Sequence, residues 1–500
     1  MFYKNYFDRK SIKYKIIKLP KFYSMNSNID ESIMDISSSP LSYNFDCTTG
    51  VLKDGMGIRK LRFKSYPDDN TFKDLDTSSL TYHLTACWLA NCLTSDFNTF
   101  RSIFIAQDSN GDFYYNLLHG DSTALIKIDG LHFDDEPLMM TCNMNGEDFV
   151  VFISKRDGVY LWQYPYIVKK IDGVPPLKSI CVHNNKLFAI PYNNQTTVMF
   201  TDVVDISNLN MDAVGSGKIE LKDGFGACNK VISFKNYLYV FRDFGISKVV
   251  DYANRVDVDI SQVCVSGGRI FDKTICVCGD NILYLASDGI YSFNGTTTKR
   301  LNFKLDKMFE GVDNYNAVAC YSDGYYYISC KLNYKDDSVV DGEWSYGNNY
   351  NNALIKLNLE TGEMVLFRGY DIIGLYVIND VYRSEICVLV REVGAVHRLG
   401  MLDTSGSYYG EPLTKVWNSA KLDCDCPEKY KIIKEISLET SKDIDIEINT
   451  EMGKRVFRVK GKDIYQTIKV NLKCKKFSVN FVSKSTGNYI VGLQIVVGIL

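Results

Sequence analysis

Cysteine is the residue type that first suggests chemistry in this chain, because the sequence contains fifteen of them. Two pairs have C-x-C spacing, Cys276 with Cys278 and Cys424 with Cys426. A zinc site requires C-x2-C spacing and a second well-spaced pair, and neither is present. Alternate positions of a strand share one face, so we expect Cys276 and Cys278 to pack in a core. The cysteines are interpreted as reduced, buried thiols.

The histidines offer no recognisable catalytic motif. None of the five lies in H-E-x-x-H or beside a G-x-S-x-G serine, and a strand histidine is most often a hydrogen-bonded structural residue. They are His83, His119, His132, His183 and His397.

Two further runs resemble ligand-binding loops without completing them. Asp108 to Asp112 opens like a calcium loop, but His119 stands where a closing Glu belongs, so a hairpin turn is the favoured interpretation. Residues 215–218, Gly-Ser-Gly-Lys, lack the frame of a P-loop and the helix that should follow it.

Paired carboxylates are the remaining route to catalysis, because glycoside hydrolysis uses two of them. Asp134, Asp135 and Glu136 form one cluster, and Asp336 with Asp337 forms another. Both lie in polar loops, where solvation accounts for them. We therefore predict no catalytic, cofactor-binding or metal-binding residue, no cofactor, and a structural or binding role in place of an enzymatic one.

The elements that carry these residues are strands. From Gly57 to about Thr404, short runs rich in Val, Ile, Tyr and Phe recur between turn signals, and helical periodicity is nearly absent. Asp-Gly pairs at 157–158, 288–289 and 323–324 supply the positive backbone angles of tight hairpins. The hairpins recur at about the spacing of propeller blades. We predict an all-β chain with a degenerate β-propeller of six or seven blades over residues 57–405.

The two ends of the chain differ from this middle part. Residues 406–500 predict a small antiparallel β-sandwich, because Ile444, Ile446 and Ile448 alternate with polar residues. Residues 1–56 predict an N-terminal arm and lead-in, with seven Lys/Arg in the first 21 positions. A basic aromatic arm is compatible with nucleic-acid binding. The favoured alternative is an extended tail laid on the fold or on a neighbouring subunit.

Charge and hydropathy exclude some function classes. A formal charge of −3 gives no reason to expect a surface that coats nucleic acid or binds an anionic membrane. The N-terminus has no apolar signal-peptide region, and the apolar run at 492–500 is too short to span a bilayer. We expect synthesis in the cytoplasm and no membrane insertion.

The middle of the chain carries a family resemblance. The run 183–189, His-Asn-Asn-Lys-Leu-Phe-Ala, and the run 198–205, Val-Met-Phe-Thr-Asp-Val-Val-Asp, resemble paired strands of bacteriophage tail and neck proteins. The family pattern has Arg where this chain has Lys186, and it has a Pro where this chain continues after Asp205 with Ile206.

The flanking segments extend this similarity in order. Residues 232–241 resemble the next strand of the family, and 264–267 with 280–291 resemble its following unit. Residues 43–52 with Gly57 and Ile58 resemble its lead-in, although the expected Arg is absent. The order of these weak motifs, which covers most of the chain, gives them their weight.

The family is that of the propeller-containing tail nozzle, stabilisation or tail tubular proteins of short-tailed bacteriophages, including crAss-like phages. The resemblance implies a structural virion protein, a protomer of a tail nozzle or neck ring around the DNA exit conduit. It also implies a closed homo-oligomer, commonly a hexamer, with portal, adaptor or other tail proteins as partners and the virion tail as location.

Two rival functions stay open from the residues alone. A host-surface tail protein would hold a glycan on the propeller face, with Trp162, Trp344 or Trp417 stacking on sugars, although core packing is the favoured role for each. A glycan-processing propeller enzyme would depend on carboxylates such as Asp336 and Asp337.

Overall fold

Pairing of short strands organises the chain from end to end. The computed structural model describes residues 13–64, 72–77, 80–93, 100–118, 122–144, 146–209, 216–251, 258–301, 304–334, 350–380, 383–392 and 396–500. In these ranges the regular elements are β-strands and three short 3-10 helices, at Ile206–Asn208, Asp272–Thr274 and Asp306–Met308. None of the described helices is long and apolar enough to cross a bilayer. The all-β prediction is confirmed.

The N-terminal part of the chain supplies seven short strands. They are β1 (Lys13–Leu19), β2 (Ser42–Tyr43), β3 (Phe45–Asp46), β4 (Leu52–Asp54), β5 (Gly57–Arg59), β6 (Arg62–Lys64) and β7 (Phe72–Asp74). Of these, β6 and β7 pair only with each other among the described residues.

Seven antiparallel sheets follow, and we number them as blades 1 to 7. Blade 1 contains β8 (Leu84–Leu93), β9 (Phe100–Asp108), β10 (Asp112–Leu117) and β11 (Ile126–His132). Blade 2 contains β12 (Leu138–Met144), β13 (Glu147–Ser154), β14 (Gly158–Gln163) and β15 (Ile167–Ile171). Blade 3 contains β16 (Leu177–His183), β17 (Lys186–Pro191), β18 (Thr197–Phe200) and β19 (Gly217–Glu220). Blade 4 contains β20 (Cys228–Phe234), β21 (Tyr237–Arg242), β22 (Gly245–Asp251) and β23 (Val258–Val265).

Blades 5 to 7 complete the ring. Blade 5 contains β24 (Cys276–Cys278), β25 (Asn281–Ala286), β26 (Gly289–Phe293) and β27 (Thr298–Arg300). Blade 6 contains β28 (Val318–Ser322), β29 (Tyr325–Cys330), β30 (Ala353–Asn358) and β31 (Met364–Phe367). Blade 7 begins with β32 (Asp371–Asp380), β33 (Arg383–Arg391) and β34 (His397–Asp403). The first strand of each blade lies nearest the central axis, where β32 of blade 7 contacts β8 of blade 1.

The ring is closed by a strand from the opposite end of the propeller sequence. Strand β5 pairs antiparallel with β34, with Ile58 opposite Leu402, and becomes the fourth strand of blade 7. Two further strands, β35 (Ser407–Tyr408) and β36 (Glu411–Pro412), extend the same sheet. The fold is therefore a seven-bladed propeller, and its last sheet continues past residue 405, where we placed its end, because β35 pairs with β5.

The predicted Asp-Gly turns join neighbouring strands within blades. Asp323 and Gly324 have φ of 50° and 82° between β28 and β29, the geometry that a two-residue hairpin turn requires. Asn184 and Asn185 form an equivalent turn in blade 3 with φ of 48° and 57°. Both faces of a blade are covered by its neighbours, so strands such as β17 are buried at every position.

The C-terminal strands form a two-sheet sandwich together with the N-terminal strands. They are β37 (Lys415–Asn418), β38 (Lys431–Thr440), β39 (Ile444–Thr450), β40 (Gly453–Val459), β41 (Tyr465–Cys474), β42 (Phe477–Ser483) and β43 (Tyr489–Ile499). One sheet has the order β3-β4-β43-β38-β41, with β1 also paired to β43, and the other has the order β2-β37-β42-β39-β40. As predicted, Ile444, Ile446 and Ile448 face the core and are at most 2% exposed.

The segment predicted as an arm is an integral part of this sandwich. Lys13 to Leu19 pair residue by residue with Ile499 to Leu493. The Phe22 ring packs edge-on against Trp417, with centroids 5.0 Å apart, and the Trp417 indole donates to the carbonyl of Tyr23 over 3.2 Å. The first ten or so residues of the predicted arm lie outside the described ranges.

A buried asparagine joins the sandwich to the propeller. The Asn44 amide nitrogen donates to the carbonyls of Arg368 (3.0 Å) and Thr414 (2.8 Å), and its side-chain oxygen accepts from the Arg368 N–H (2.7 Å). Asn44 is fully buried and has φ of 63°, a conformation that Asn tolerates better than most residues. This contact fixes the sandwich beside blade 6.

Candidate assembly interface

The cysteines occupy structural positions. All fifteen are free, and ten are buried. Cys276 and Cys278 share one face of β24, and the Cys276 thiol lies 3.4 Å from the carbonyl oxygen of Ala319 in blade 6. Burial raises the pKa of Cys276 to about 11, so the metal-binding thiolate is disfavoured. Among the described residues, no three His, Cys, Asp or Glu side chains come together as a metal site would require.

The Asp108–Asp112 run forms the predicted hairpin turn between β9 and β10. The Asp108 carboxylate accepts the N–H groups of Asn110 (3.0 Å) and Asp112 (2.9 Å). Asp112 pairs instead with Lys127, whose Nζ lies 2.8 Å away, and with the His132 ring at 3.1 Å. These carboxylates are engaged in ordering the turn.

The clustered carboxylates at 134–136 point to different partners. Asp135 accepts the backbone N–H of Lys155 over 2.9 Å. Glu136 accepts the Tyr376 hydroxyl over 3.0 Å and lies 3.7 Å from the Lys273 ammonium. The other predicted pair, Asp336 and Asp337, lies outside the described residues, as does Trp344.

The remaining aromatic and histidine candidates are parts of the core. Trp162 and Trp417 are fully buried, which removes them as sugar-stacking residues and agrees with the favoured role of core packing. His183 is also buried, and its Nδ1 lies 2.8 Å from the Ser233 hydroxyl, linking blades 3 and 4.

One edge of the sandwich, formed by β40 and β41, combines unpaired backbone, exposed apolar side chains and positive charge. In the described part of the chain, β40 pairs only with β39, and β41 pairs only with β38, so both sheets end there with an unpaired backbone edge. Exposed apolar side chains lie along the same edge: Met452 (70% exposed), Val456 (53%), Ile464 (58%) and Tyr465 (54%). We call residues 452–476 the basic edge for the reason given next.

Positive charge is concentrated on the basic edge. Residues 453–476 contain nine Lys or Arg and a single acid, Asp463. Two of these cations are paired with β39, Lys454 with Glu447 and Arg458 with Asp445 at 3.0 Å. The exposed Arg455 and Lys469 have no ion-pair partner among the described residues. The rest of the chain then carries 48 basic against 59 acidic residues.

The segment 108–157, which covers parts of blades 1 and 2, carries the opposite charge. Residues 108–157 contain ten acids against three basic residues. Asp129 on the outer strand β11 and Glu147 at the turn between β12 and β13 are exposed. Several of these acids line the central cavities, but Asp129 and Glu147 do not, so one molecule presents a basic strand edge and exposed acids that are complementary on two copies.

Whole-chain charge concealed this arrangement in the sequence. A formal charge of −3 gave no reason to expect a surface that coats nucleic acid or binds an anionic membrane, and it says nothing of local charge. A count over short windows would have found the excess in 453–476, although it could not have shown that these residues form a free edge.

Comparisons with known proteins add a limited finding. No protein-family model matches the sequence, and a comparison with curated proteins finds no match. BBS1N, solved in complex with ARL6DN, is 8% identical, covers 69% of this chain and 98% of its own, and has a TM-score of 0.40. The Neurospora crassa Pan2 WD40 domain is 8% identical, with coverage of 69% and 96% and a TM-score of 0.38.

A third solved structure is similar to the same degree. BamB from Moraxella catarrhalis is 11% identical, covers 78% of this chain and 96% of its own, and has a TM-score of 0.36. Likenesses this distant carry no argument about function, and the propeller is defined by the strand pairing of the chain itself.

Proposed function

We propose that this protein is a non-enzymatic structural subunit of a bacteriophage virion. It is the protomer of a tail nozzle or neck ring in a short-tailed phage, and copies of it form a closed ring, a hexamer in our proposal, around the DNA exit conduit. Portal, adaptor or other tail proteins are its neighbours in the virion tail.

The observation that carries the ring proposal is the separation of charge between the basic edge and the exposed acids Asp129 and Glu147 of blades 1 and 2. A surface that is complementary to a different surface of the same molecule favours head-to-tail contacts, and such contacts close into rings when the rotation permits. Lysines along a free edge discourage non-specific strand pairing. The partner that they favour is an acidic surface, which another copy of this chain supplies.

The unpaired backbone and apolar side chains of the basic edge strengthen the proposal. Exposed N–H and C=O groups of β40 and β41 can bond to an extended segment of a neighbour. Val456 and Tyr465 add apolar area of the kind that interfaces bury. Charge would then select the partner, and burial of these side chains would stabilise the contact.

Mass measurement on the purified full-length chain tests this proposal. We expect closed oligomers in native mass spectrometry and mass photometry, which dissociate as salt is raised because exposed charges are screened. The double variant Arg455→Glu, Lys469→Glu should shift the population to monomers. The double variant Lys235→Glu, Lys299→Glu is the matched control, since both are exposed lysines of blades 4 and 5, outside the two charged surfaces.

A second pair of variants tests the apolar part of the edge. Val456→Asp introduces a carboxylate at a position 53% exposed on the basic edge, and Ile260→Asp does the same at a position 42% exposed on the outer strand of blade 4. The first should weaken the oligomer, and the second should fold and assemble like the parent. A chain that stays monomeric at every concentration and is absent from purified virions contradicts the proposal.

A further inference from the structure

A cavity of about 720 Å³ opens at one end of the central propeller channel. It lies where the first strands of the blades begin, and five cationic side chains from blades 2 to 5 line it. They are Lys155, Lys178, Lys230, Arg269 and Lys273. We call this cavity the channel mouth.

Two of these cations are already neutralised by carboxylates. The Arg269 guanidinium lies 3.4 Å from Asp243, and the Lys273 ammonium lies 3.7 Å from Glu136. The other three, Lys155, Lys178 and Lys230, form no ion pair among the described residues.

The Lys178 ammonium of the channel mouth is held by two hydrogen bonds to side chains. Its Nζ donates to the side-chain oxygens of Gln195 (3.1 Å) and Asn229 (2.7 Å). Both acceptors are neutral amides, and an ammonium has three N–H donors, so one donor is left for a ligand. Burial lowers the pKa of Lys178, and the carboxylates of Asp272 and Asp243 oppose that shift only in part. An anion placed here would replace the missing hydration.

Lys230 repeats this arrangement in the next blade. Its Nζ donates to the backbone carbonyl of Ile275 over 2.7 Å, and this is again a neutral acceptor. Lys178 and Lys230 therefore bring two positive charges to one cavity that Glu136 and Asp272 also line, and the groups bonded to the two ammonium ions are themselves uncharged.

The surroundings limit the size and charge of the anion. An adjoining cavity of about 740 Å³ shares Glu136 and Lys273 with the channel mouth and is lined by Asp108, Asp134 and Asp135. A polyanion such as nucleic acid would carry phosphates into this acidic region and be repelled. A ligand with one negative charge and many hydroxyl groups meets the lysines and can also donate to the exposed carboxylate of Asp134.

Aromatic side chains complete the wall. Trp88 and Tyr376 lie edge to face with ring centroids 6.3 Å apart, and both line the cavity together with the half-exposed Tyr192. Aromatic rings provide the apolar surface on which the C–H face of a pyranose packs. A carboxylate, hydroxyls and a ring face are the three features of an acidic sugar.

We propose that the channel mouth binds a carboxylate-bearing sugar unit of an acidic glycan, with Lys178 and Lys230 holding the carboxylate and Gln195 and Asn229 accepting from hydroxyls. This binding is separate from the proposed assembly, because neither the basic edge nor the exposed acids Asp129 and Glu147 line the channel mouth.

Titration calorimetry on the full-length chain tests the proposal, with methyl glucuronide as the probe and methyl glucoside and inorganic phosphate as comparisons. We expect the glucuronide to bind and the neutral glucoside to bind at least about tenfold more weakly, since it lacks the charge-assisted hydrogen bonds. Lys178→Met and Lys230→Met should each weaken glucuronide binding by about tenfold or more.

Two further variants keep the test independent of folding. Lys155→Gln changes an exposed side chain at the mouth and should fold normally while weakening glucuronide binding. Lys170→Gln is its matched control, since Lys155 lies 5.6 Å from the ring centroid of Tyr192, and Lys170 lies 5.5 Å from that of Tyr160 outside the cavity.

Several results would overturn the proposal. Equal binding of glucoside and glucuronide removes the role of the lysines. If phosphate binds and glucuronide does not, the channel mouth is an anion site that does not recognise sugars. Absence of any binding, or an equal loss in Lys170→Gln, rejects the channel mouth as the site.

Discussion

Replacement of Asn44 should destabilise the junction between sandwich and propeller by an amount that can be divided into two parts. The side chain makes three hydrogen bonds to backbone groups of residues 368 and 414, and it is fully buried. At about 1 kcal/mol for each bond, their loss costs roughly 3 kcal/mol. The φ of 63° adds about 1 kcal/mol when Ala replaces Asn, and adds nothing when Gly does.

The two substitutions therefore separate hydrogen bonding from backbone conformation. Asn44→Gly should lower the free energy of unfolding by roughly 3 kcal/mol, and Asn44→Ala by roughly 4 kcal/mol. A thermal melt followed by circular dichroism should show a fall in Tm of roughly 2–4 °C for each kcal/mol in a domain of about 150–250 residues.

Asn236 provides the control for the backbone part. It has the same φ of 63°, lies exposed in the turn between β20 and β21, and its side chain forms no hydrogen bond among the described residues. Asn236→Ala should cost about 1 kcal/mol. If Asn44→Ala lowers Tm no more than Asn236→Ala does, the three hydrogen bonds contribute nothing and the reasoning fails.

Three other predictions concern buried charge, acid and thiols. Asp54→Asn should lower Tm, by the loss of about 3 kcal/mol, because it leaves the fully buried Lys415 ammonium without the carboxylate 3.2 Å away; an unchanged melt would contradict this. The hydrogen bond from Lys127 holds the pKa of Asp112 below its usual 3.8, so its stabilising contribution is present above that pH and lost as pH falls through the lowered value. Asp112→Asn should therefore melt below the parent at neutral pH and equal it in strong acid, and a constant difference would refute the linkage. Finally, a colorimetric thiol assay at pH 8 should find few reactive cysteines in the native chain and all fifteen after denaturation, whereas rapid reaction of many native thiols would contradict their burial.

Local patterns in the sequence predicted the local structure well. Asp323 with Gly324 forms a hairpin turn because its geometry depends on the two residues themselves. Ile444 to Ile448 alternate because a half-buried strand imposes a period of two residues. Both predictions are confirmed without knowledge of the partner strands.

Features that depend on distant pairing could not be predicted in this way. The basic charge of the first residues suggested an arm, yet the alternation of Lys18 with buried Ile17 and Leu19 is that of a strand whose partner lies at the other end of the chain. The closure of blade 7 by β5 likewise depends on a partner strand that is distant in the sequence. The number of blades follows from these pairings.

The channel mouth was hidden for a related reason. Lys178 and Lys230 lie in different blades, and the sequence places each among ordinary strand residues. Their convergence requires the ring, because only the ring brings the first strands of successive blades around one axis. The basic edge, by contrast, is contiguous in sequence and needed only a local count of charge.

The pairing of β1 with β43 and of β5 with β34 has a consequence for synthesis. The N-terminal strands leave the ribosome first, but β5 must wait for residues 401–403 and β1 for residues 493–499. At synthesis rates of about 5–20 residues per second, the nascent chain holds these segments without their partners for roughly 20 seconds or more. The newborn protein thus passes through a stage in which blades 1 to 6 can exist while neither the ring nor the sandwich can close, and chaperone occupancy should be greatest in that interval.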